Sequence, residues 1–335
     1  MYNKQWTKMI SLLFIVLLVF SLAGCAKEPQ KENVDLKKVT ITLDWVPNTN
    51  HTGLFVAKDK GFYEEAGLDV EIIQPANGTS EQLVGTGKAQ FGVAYQEGVT
   101  FARLSDVPVV SIAAIIQHNT SGFGSLKEKG IVSPKDFEGK RYGGWGSPIE
   151  EATIKSLMDI VGADFSKVEI LNTGAADFFV TSEKNADFSW IFFGWDGIAA
   201  ELKGVELNYI DVAQFDPALD YYTPVLITGE KIIENDPVLV KKFMEATTKG
   251  YTFAMENPKD AADILLANAP ELDKELVIAS QEWLKDKYQA DANVWGEQKK
   301  SVWENYSKWL YERGLIEKEL DVEKAFTNEF LGAKK

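Results

Sequence analysis

Three short stretches of this chain set an indole beside groups that form directed hydrogen bonds. DWVPNTNH at 44–51 offers the Trp45 ring face, a carboxylate, the amides of Asn48 and Asn50, and the His51 imidazole. RYGGWGSP at 141–148 places Trp145 among glycines, and GWDG at 194–197 sets Trp195 against Asp196 just after Phe193. Ring faces stack on flat rings, and carboxylates and amides accept N–H donors. The chemistry that fits is non-covalent capture of a flat, neutral or weakly basic heterocycle carrying exocyclic amino groups. A sulfonate or phosphate would call for Arg or Lys at these positions. None of the three stretches carries a lysine, and Arg141 belongs to the strand side of its turn. Catalytic constellations are missing from the sequence. It has two histidines, His51 and His118, and one cysteine, Cys25. There is no HExxH, no Ser-His-Asp spacing, no zinc-ligand cluster and no GxxxxGK[ST]. No catalytic residue, metal or cofactor is expected.

These groups need elements to position them. Residues 39–43 read as a β-branched strand, residues from 52 to the Gly61 stop as a helix, and 68–73 as a second strand. That is a βαβ unit, whose ligands bind beyond the carboxyl ends of the strands and near helix N-termini. A helix over 81–87 follows, capped by Thr79 or Ser80, then a strand over 91–95 and a helix over 97–104. The continuously apolar run 107–117 reads as a strand buried on both faces. The strand ends at 44–51, 95–96 and 117–121 bring Trp45, Asn48, His51, Tyr95 and His118 toward one cleft. Residues 133–140 open a second lobe. In it, Ser147 and Pro148 start a helix running to about 161. Further elements are a strand at 168–171, a helix at 175–184 and an aromatic strand at 186–193, with Trp190 in its core. Its exit carries Phe193, Trp195 and Asp196. A short strand at 209–212 precedes a return crossing at 215–223 and a strand at 224–228. The remainder reads as helices at 237–255, 258–268, 273–288, 296–312 and 322–330, in which Trp283, Trp295, Trp303 and Trp309 serve packing. A chain that leaves one α/β lobe, builds another and returns has a two-lobed design with the ligand between the lobes.

The run LDWVPNTNHTGLFVAKDKGFYEEAGLDVEIIQP at 43–75 resembles the opening of the thiamin-pyrimidine-precursor family, NMT1/THI5-like. That family includes extracellular binding proteins of bacterial ABC importers for formylaminopyrimidine and fungal pyrimidine-synthesising enzymes. The resemblance extends, with decreasing sharpness, from about residue 39 to about residue 250. It implies an α/β, two-lobed periplasmic-binding-protein-like fold of type II, with two crossovers and a helical C-terminal tail. Lobe 1 is expected over 39–130 and 224–335, and lobe 2 over 131–223. It also implies a small-molecule pyrimidine ligand, an ABC permease as membrane partner and a protein that works as a monomer. Family members often carry tyrosine and then glutamate at the second strand exit, where this chain has Phe193 and Asp196. That removes a hydroxyl and shortens a carboxylate, and leaves the exact ligand open. Another flat ring such as a riboflavin precursor, or a sulfonate, remains an alternative. The fungal enzymes, as the resemblance implies, consume an active-site histidine and use a cysteine-rich iron motif, for which this chain has few counterparts. An adhesin-like surface lipoprotein without a small ligand is a further alternative.

The chain has 335 residues, 45% hydrophobic and 25% charged, which suits about two globular domains. Its formal charge of −15 argues against nucleic acid as a partner. Lys4 and Lys8 precede an uncharged run at 9–24 that ends Leu22-Ala23-Gly24-Cys25. This resembles a bacterial lipoprotein signal, with a signal peptide at 1–24, lipidation of Cys25 and a flexible tether at 25–38. Cleavage would remove two positive charges, taking −15 to −15 − 2 = −17. The expected location is the extracellular face of the bacterial cell membrane, held by the lipid.

Overall fold

The computed structural model describes residues 36–74, 79–174, 178–183 and 186–332. Cys25, the expected signal peptide and nearly all of the expected tether lie outside the described residues, as do 75–78 in the turn before the capped helix. Lys37 and Lys38, assigned to the tether from sequence, instead begin the first strand.

The first sheet has the order β2-β1-β3-β10-β4. Its strands are β1 (Lys37–Thr42), β2 (Leu68–Ile73), β3 (Phe91–Ala94), β4 (Val109–Ala114) and β10 (Val225–Gly229). β1 pairs in parallel with β2, Val39 opposite Val70 and Ile41 opposite Ile72. All six residues of β4 are buried, as its largely apolar pattern requires, and the one polar residue, Ser111, donates its hydroxyl to Gln298 Oε1 at 2.8 Å. α1 (Thr52–Asp59), α2 (Phe62–Glu65), α3 (Ser80–Gly85) and α4 (Gln96–Leu104) fill the connections. Thr79 caps α3, its hydroxyl accepting the Gln82 N–H at 3.4 Å.

The second sheet has the order β7-β6-β8-β5-β9. Its strands are β5 (Ser121–Leu126), β6 (Arg141–Gly144), β7 (Glu169–Asn172), β8 (Phe188–Phe192) and β9 (Leu207–Asp211), with α5 (Pro148–Ile160), α6 (Phe178–Glu183) and α7 (Ile198–Leu202) between them. Each sheet therefore repeats one plan. Three parallel strands are followed by an antiparallel strand from outside the run, and then by a fourth strand of the lobe. β10 plays that inserted part in the first sheet and β5 in the second. The chain crosses between the sheets after β4 and again after β9. This is the two-lobed, two-crossover architecture.

β5 corrects the boundary expected at residue 131, since Ser121–Leu126 already belongs to the second sheet. Its sequence SGFGSL has low strand propensity, but the glycines answer to packing. A Cβ on Gly122 would lie 2.3 Å from the Ile210 carbonyl oxygen, and one on Gly124 would lie 2.5 Å from Ile191 Cδ1.

The tail carries α8 (Glu230–Asn235), α9 (Pro237–Glu256), α10 (Pro258–Asn268), α11 (Lys274–Leu284) and α12 (Lys300–Glu312). α12 belongs to neither lobe alone. Trp303 packs with the β3/β4/β10 core, while Tyr306, Trp309 and Leu310 pack with the second-lobe core. The helix expected over 322–330 is instead a single 3-10 turn, Val322–Lys324. The chain after it pairs with the outer edge of β4. Ser111 N–H donates to Ala325 O at 2.8 Å, and Thr327 N–H donates to Ser111 O at 2.9 Å. A backbone edge that would otherwise stand unpaired is thereby covered.

Candidate functional site

The loop leaving β1 is fixed from within. Asn48 Oδ1 accepts the Asn50 N–H at 2.9 Å, and His51 Nδ1 accepts the Asn48 N–H at 3.2 Å. An imidazole nitrogen that accepts carries no proton, so the other nitrogen, Nε2, donates to Asp44 Oδ1 at 2.6 Å. The tail holds the loop from behind. Tyr288 Oη donates to Thr49 O at 2.6 Å and Tyr251 Oη to Asn50 O at 2.7 Å. Burial by itself would raise the Asp44 carboxyl, but the His51 ring, the Tyr95 hydroxyl and its own backbone N–H together hold it below the ordinary range.

The glycine-rich loop between β6 and α5 wraps a buried carboxylate. Glu150 accepts the N–H groups of Trp145 at 3.1 Å, Gly146 at 2.8 Å and Ser147 at 2.7 Å, and the Tyr142 hydroxyl at 2.5 Å. A Cβ on Gly144 would lie 2.0 Å from Glu150 Oε1, so the loop can close on this carboxylate only with glycine there. Trp145 is left 44% exposed, meeting Trp190 edge-to-face at 5.9 Å.

β8 leaves through a π-helical turn, Phe193–Gly197, a form that recurs at functional sites. Asp196 Oδ2 accepts the Phe192 N–H at 3.1 Å. Trp195 rests against the first-lobe core, so this second-lobe turn touches both halves of the molecule.

A cavity of about 470 Å³ opens between these loops, within the size range of small-molecule sites. The first lobe contributes Asp44, Trp45, Asn48, Tyr95 and Glu97. The second contributes Trp145, Phe178, Trp190, Phe192, Trp195 and Asp196, and the crossings add Thr120, Tyr221 and Thr223. Among the described residues that line it are three carboxylates and no Lys, Arg or His.

The structure thus brings together Trp45, Asn48, Tyr95, Trp145, Trp195 and Asp196. It does not bring His51, His118 or Phe193 to the cavity. His51 is fully buried behind the loop, turned toward Asp44. Phe193 turns away to pack on Tyr209 and Trp283, with ring centroids at 5.0 and 5.5 Å. His118 stands on the first crossing, with Nδ1 2.7 Å from Asp220 and Nε2 2.9 Å from Asp291. Carboxylates only accept, so both ring nitrogens donate. The Asp220 hydrogen bond leads in raising this imidazole to about 9, against the opposing effect of partial burial.

Sequence reasoning missed Glu97 and Tyr221 and assigned Trp190 to the core alone. Trp190 does pack against the second-lobe core, yet it also lines the cavity. The usable signal for Glu97 was its place in the first turn of a helix entered from a strand end, two residues after Tyr95. Tyr221 comes from the return crossing, and no local pattern marks it.

The NMT1/THI5 like family signature matches residues 48–261, more than half of the chain. The chain belongs to this family. The formylaminopyrimidine-binding protein of Halalkalibacterium halodurans is 31% identical to it over 96% of this chain and 98% of that protein. The 4-amino-5-hydroxymethyl-2-methylpyrimidine phosphate synthase of Legionella pneumophila is 24% identical over 88% and 92%. Among solved structures, the alkanesulfonate-binding protein SsuA from Xanthomonas axonopodis pv. citri, bound to MOPS, covers 88% of this chain and 99% of its own with a TM-score of 0.67 at 13% identity. That likeness is one of fold and carries no ligand across. The relatives of this chain thus include one named as a binding protein and one named as a synthase.

Proposed function

We propose that this chain is the solute-binding component of an ABC importer, capturing an aminopyrimidine precursor of thiamin between its lobes by hinge closure and delivering it to a membrane permease. The observation that carries this reading is the cavity's composition: indoles on both lobes, three carboxylates and no cationic side chain among the described lining residues. Trp45 and Trp145 are 51% and 44% exposed, so a flat ring can be stacked without unpacking a core. Stacking on an indole is worth about 0.5–1.5 kcal/mol beyond area burial, and a hydrogen bond to a charged acceptor about 1.5–3 kcal/mol. Asn48 and Asp196 are the groups assigned to the amino-bearing edge. The name of the Halalkalibacterium halodurans relative supports the same ligand class. Binding rather than synthesis is supported by His51, whose ring nitrogens are both engaged inside the loop and turned from the cavity. Anchorage through a lipid on Cys25 and action as a monomer belong to this reading. A Cys25→Ser protein should leave the membrane fraction, and retention there would remove the anchor from it.

Calorimetric titration with formylaminopyrimidine, hydroxymethylpyrimidine, thiamin, riboflavin and taurine tests the ligand class. Formylaminopyrimidine should bind most tightly and taurine not at all. Tight binding of taurine with no response to any pyrimidine would overturn the reading.

A further inference from the structure

We infer that Glu97 is a ligand-contacting carboxyl whose Oε1 accepts an N–H donor, so that the site selects a heterocycle with amino donors directed at two walls, one toward Glu97 on the first lobe and one toward Asp196 on the second. This rests on the proposed function and deepens it.

The carboxyls around the cavity are not equivalent. Glu150, behind the glycine-rich loop, is saturated by three backbone N–H groups and a tyrosine hydroxyl. Asp44 is taken by His51 and Tyr95. Glu97 differs from both. Tyr221 Oη and Tyr306 Oη donate to the same oxygen, Oε2, at 3.2 and 3.4 Å. The two tyrosine rings are stacked at 4.1 Å, which fixes the donors and therefore the carboxyl. Oε1 has no protein partner among the described residues, and Glu97 lines the cavity. The carboxyl is thus oriented through one oxygen and open through the other, an arrangement suited to receiving a donor. It sits in the first turn of α4, and Tyr306 comes from α12, the helix that bridges both cores.

The groups facing Glu97 from the surrounding elements are the hydroxyls of Tyr95, Tyr221 and Tyr306, Glu81 of α3 and Glu150 of α5. None is cationic. Burial pushes the Glu97 carboxyl up to about 7, opposed by the two tyrosine hydrogen bonds and aided by Glu81 and Glu150. A donor placed on Oε1 favours the ionised form. Binding near neutral pH should therefore release protons.

Titrating formylaminopyrimidine into the full chain at pH 7, in phosphate and in Tris, reads this release as a difference in heat between buffers. The wild-type protein should release protons. Glu97→Gln keeps an acceptor for both tyrosines. It should bind about tenfold more weakly or worse and lose the buffer dependence, with a thermal melt confirming the fold. Equal affinity in Glu97→Gln, or proton uptake or no proton exchange in the wild type, would overturn the inference, and the wild-type measurement stands even if the variant is unstable. No formylaminopyrimidine binding by the wild type would instead remove the proposed function itself.

Discussion

Two strand exits in this molecule pair an indole with an aspartate, and they use the pair in opposite ways. At the exit of β1, Asp44 is only 5% exposed and belongs to the loop's own framework, gripped by a fully buried His51. Trp45 beside it stands out into the cleft, half exposed. All four side chains line the cavity, but at the exit of β8 the indole rather than the carboxylate is the member packed on a core. Trp195 is seated against the opposite lobe's core, while Asp196 lines the cavity. What separates them is the third partner. The first exit has an imidazole seven residues on, which donates to the Asp44 carboxylate, whereas at the second the Phe192 N–H of the same turn donates to Asp196 Oδ2. Identical local chemistry at equivalent places in two lobes therefore gives one acid buried against an imidazole and one held by the backbone of its own turn at the cavity wall.

The sharpest break in this comparison is Asp44→Ala. Removing Asp44 leaves the buried His51 Nε2–H and the Tyr95 hydroxyl without their acceptor, at a cost of about 1–3 kcal/mol. Denaturant unfolding should show a loss of that order, nearly independent of salt. The pH dependence has a definite sign. The Asp44 carboxyl is lowered in the fold, so its stabilisation is complete above the unfolded value of about 4 and is lost as pH falls through the lower folded value. Asp44→Ala should flatten that acid limb.

Asp196→Asn is the converse test. It should change stability little and weaken formylaminopyrimidine binding by about tenfold, since 1.4 kcal/mol corresponds to a factor of ten and the charged acceptor is what the amide replaces. Trp195→Ala should weaken binding to a similar degree by removing both a cavity wall and the contact of this turn with the first-lobe core. Were Asp196→Asn to unfold the protein while leaving affinity untouched, the two exits would be alike after all.

Much of the framework behind these exits can be read from the chain. β2 alternates buried Leu68 and Val70 with exposed Asp69 and Glu71, a period-two signal that gives its bounds directly. The indoles are readable because they follow strands, and strand ends are where such folds build sites. β5 is unreadable locally. Its glycines are dictated by Ile191 and Ile210, which reach it only in the folded sheet. The same holds for the histidines. His118 looks like a cleft residue in sequence, but its partners Asp220 and Asp291 lie 102 and 173 residues away and hold it at the crossing. Period and turn chemistry are local quantities. The direction in which a polar side chain finds its partner is not.

His118 also supplies the exposed counterpart of the Asp44–His51 pair, and the smallest expected effect. Its side chain is 48% exposed, and it joins the first crossing to the return crossing through Asp220 and to the tail through Asp291. Exposed pairs of this kind contribute about 0–1 kcal/mol, weakened by salt. The sign on pH is opposite to that of Asp44. The folded imidazole is raised to about 9, so its contribution is complete below the unfolded value of about 6.5 and is lost as pH rises through 9. Comparing wild type with His118→Gln by denaturant unfolding at pH 6 and pH 9.5, in low and high salt, should give a small gap at pH 6 in low salt that closes under both changes. A gap that survived high salt and high pH would mean that His118 acts by packing rather than by charge, and that exposure does not separate the two histidine pairs.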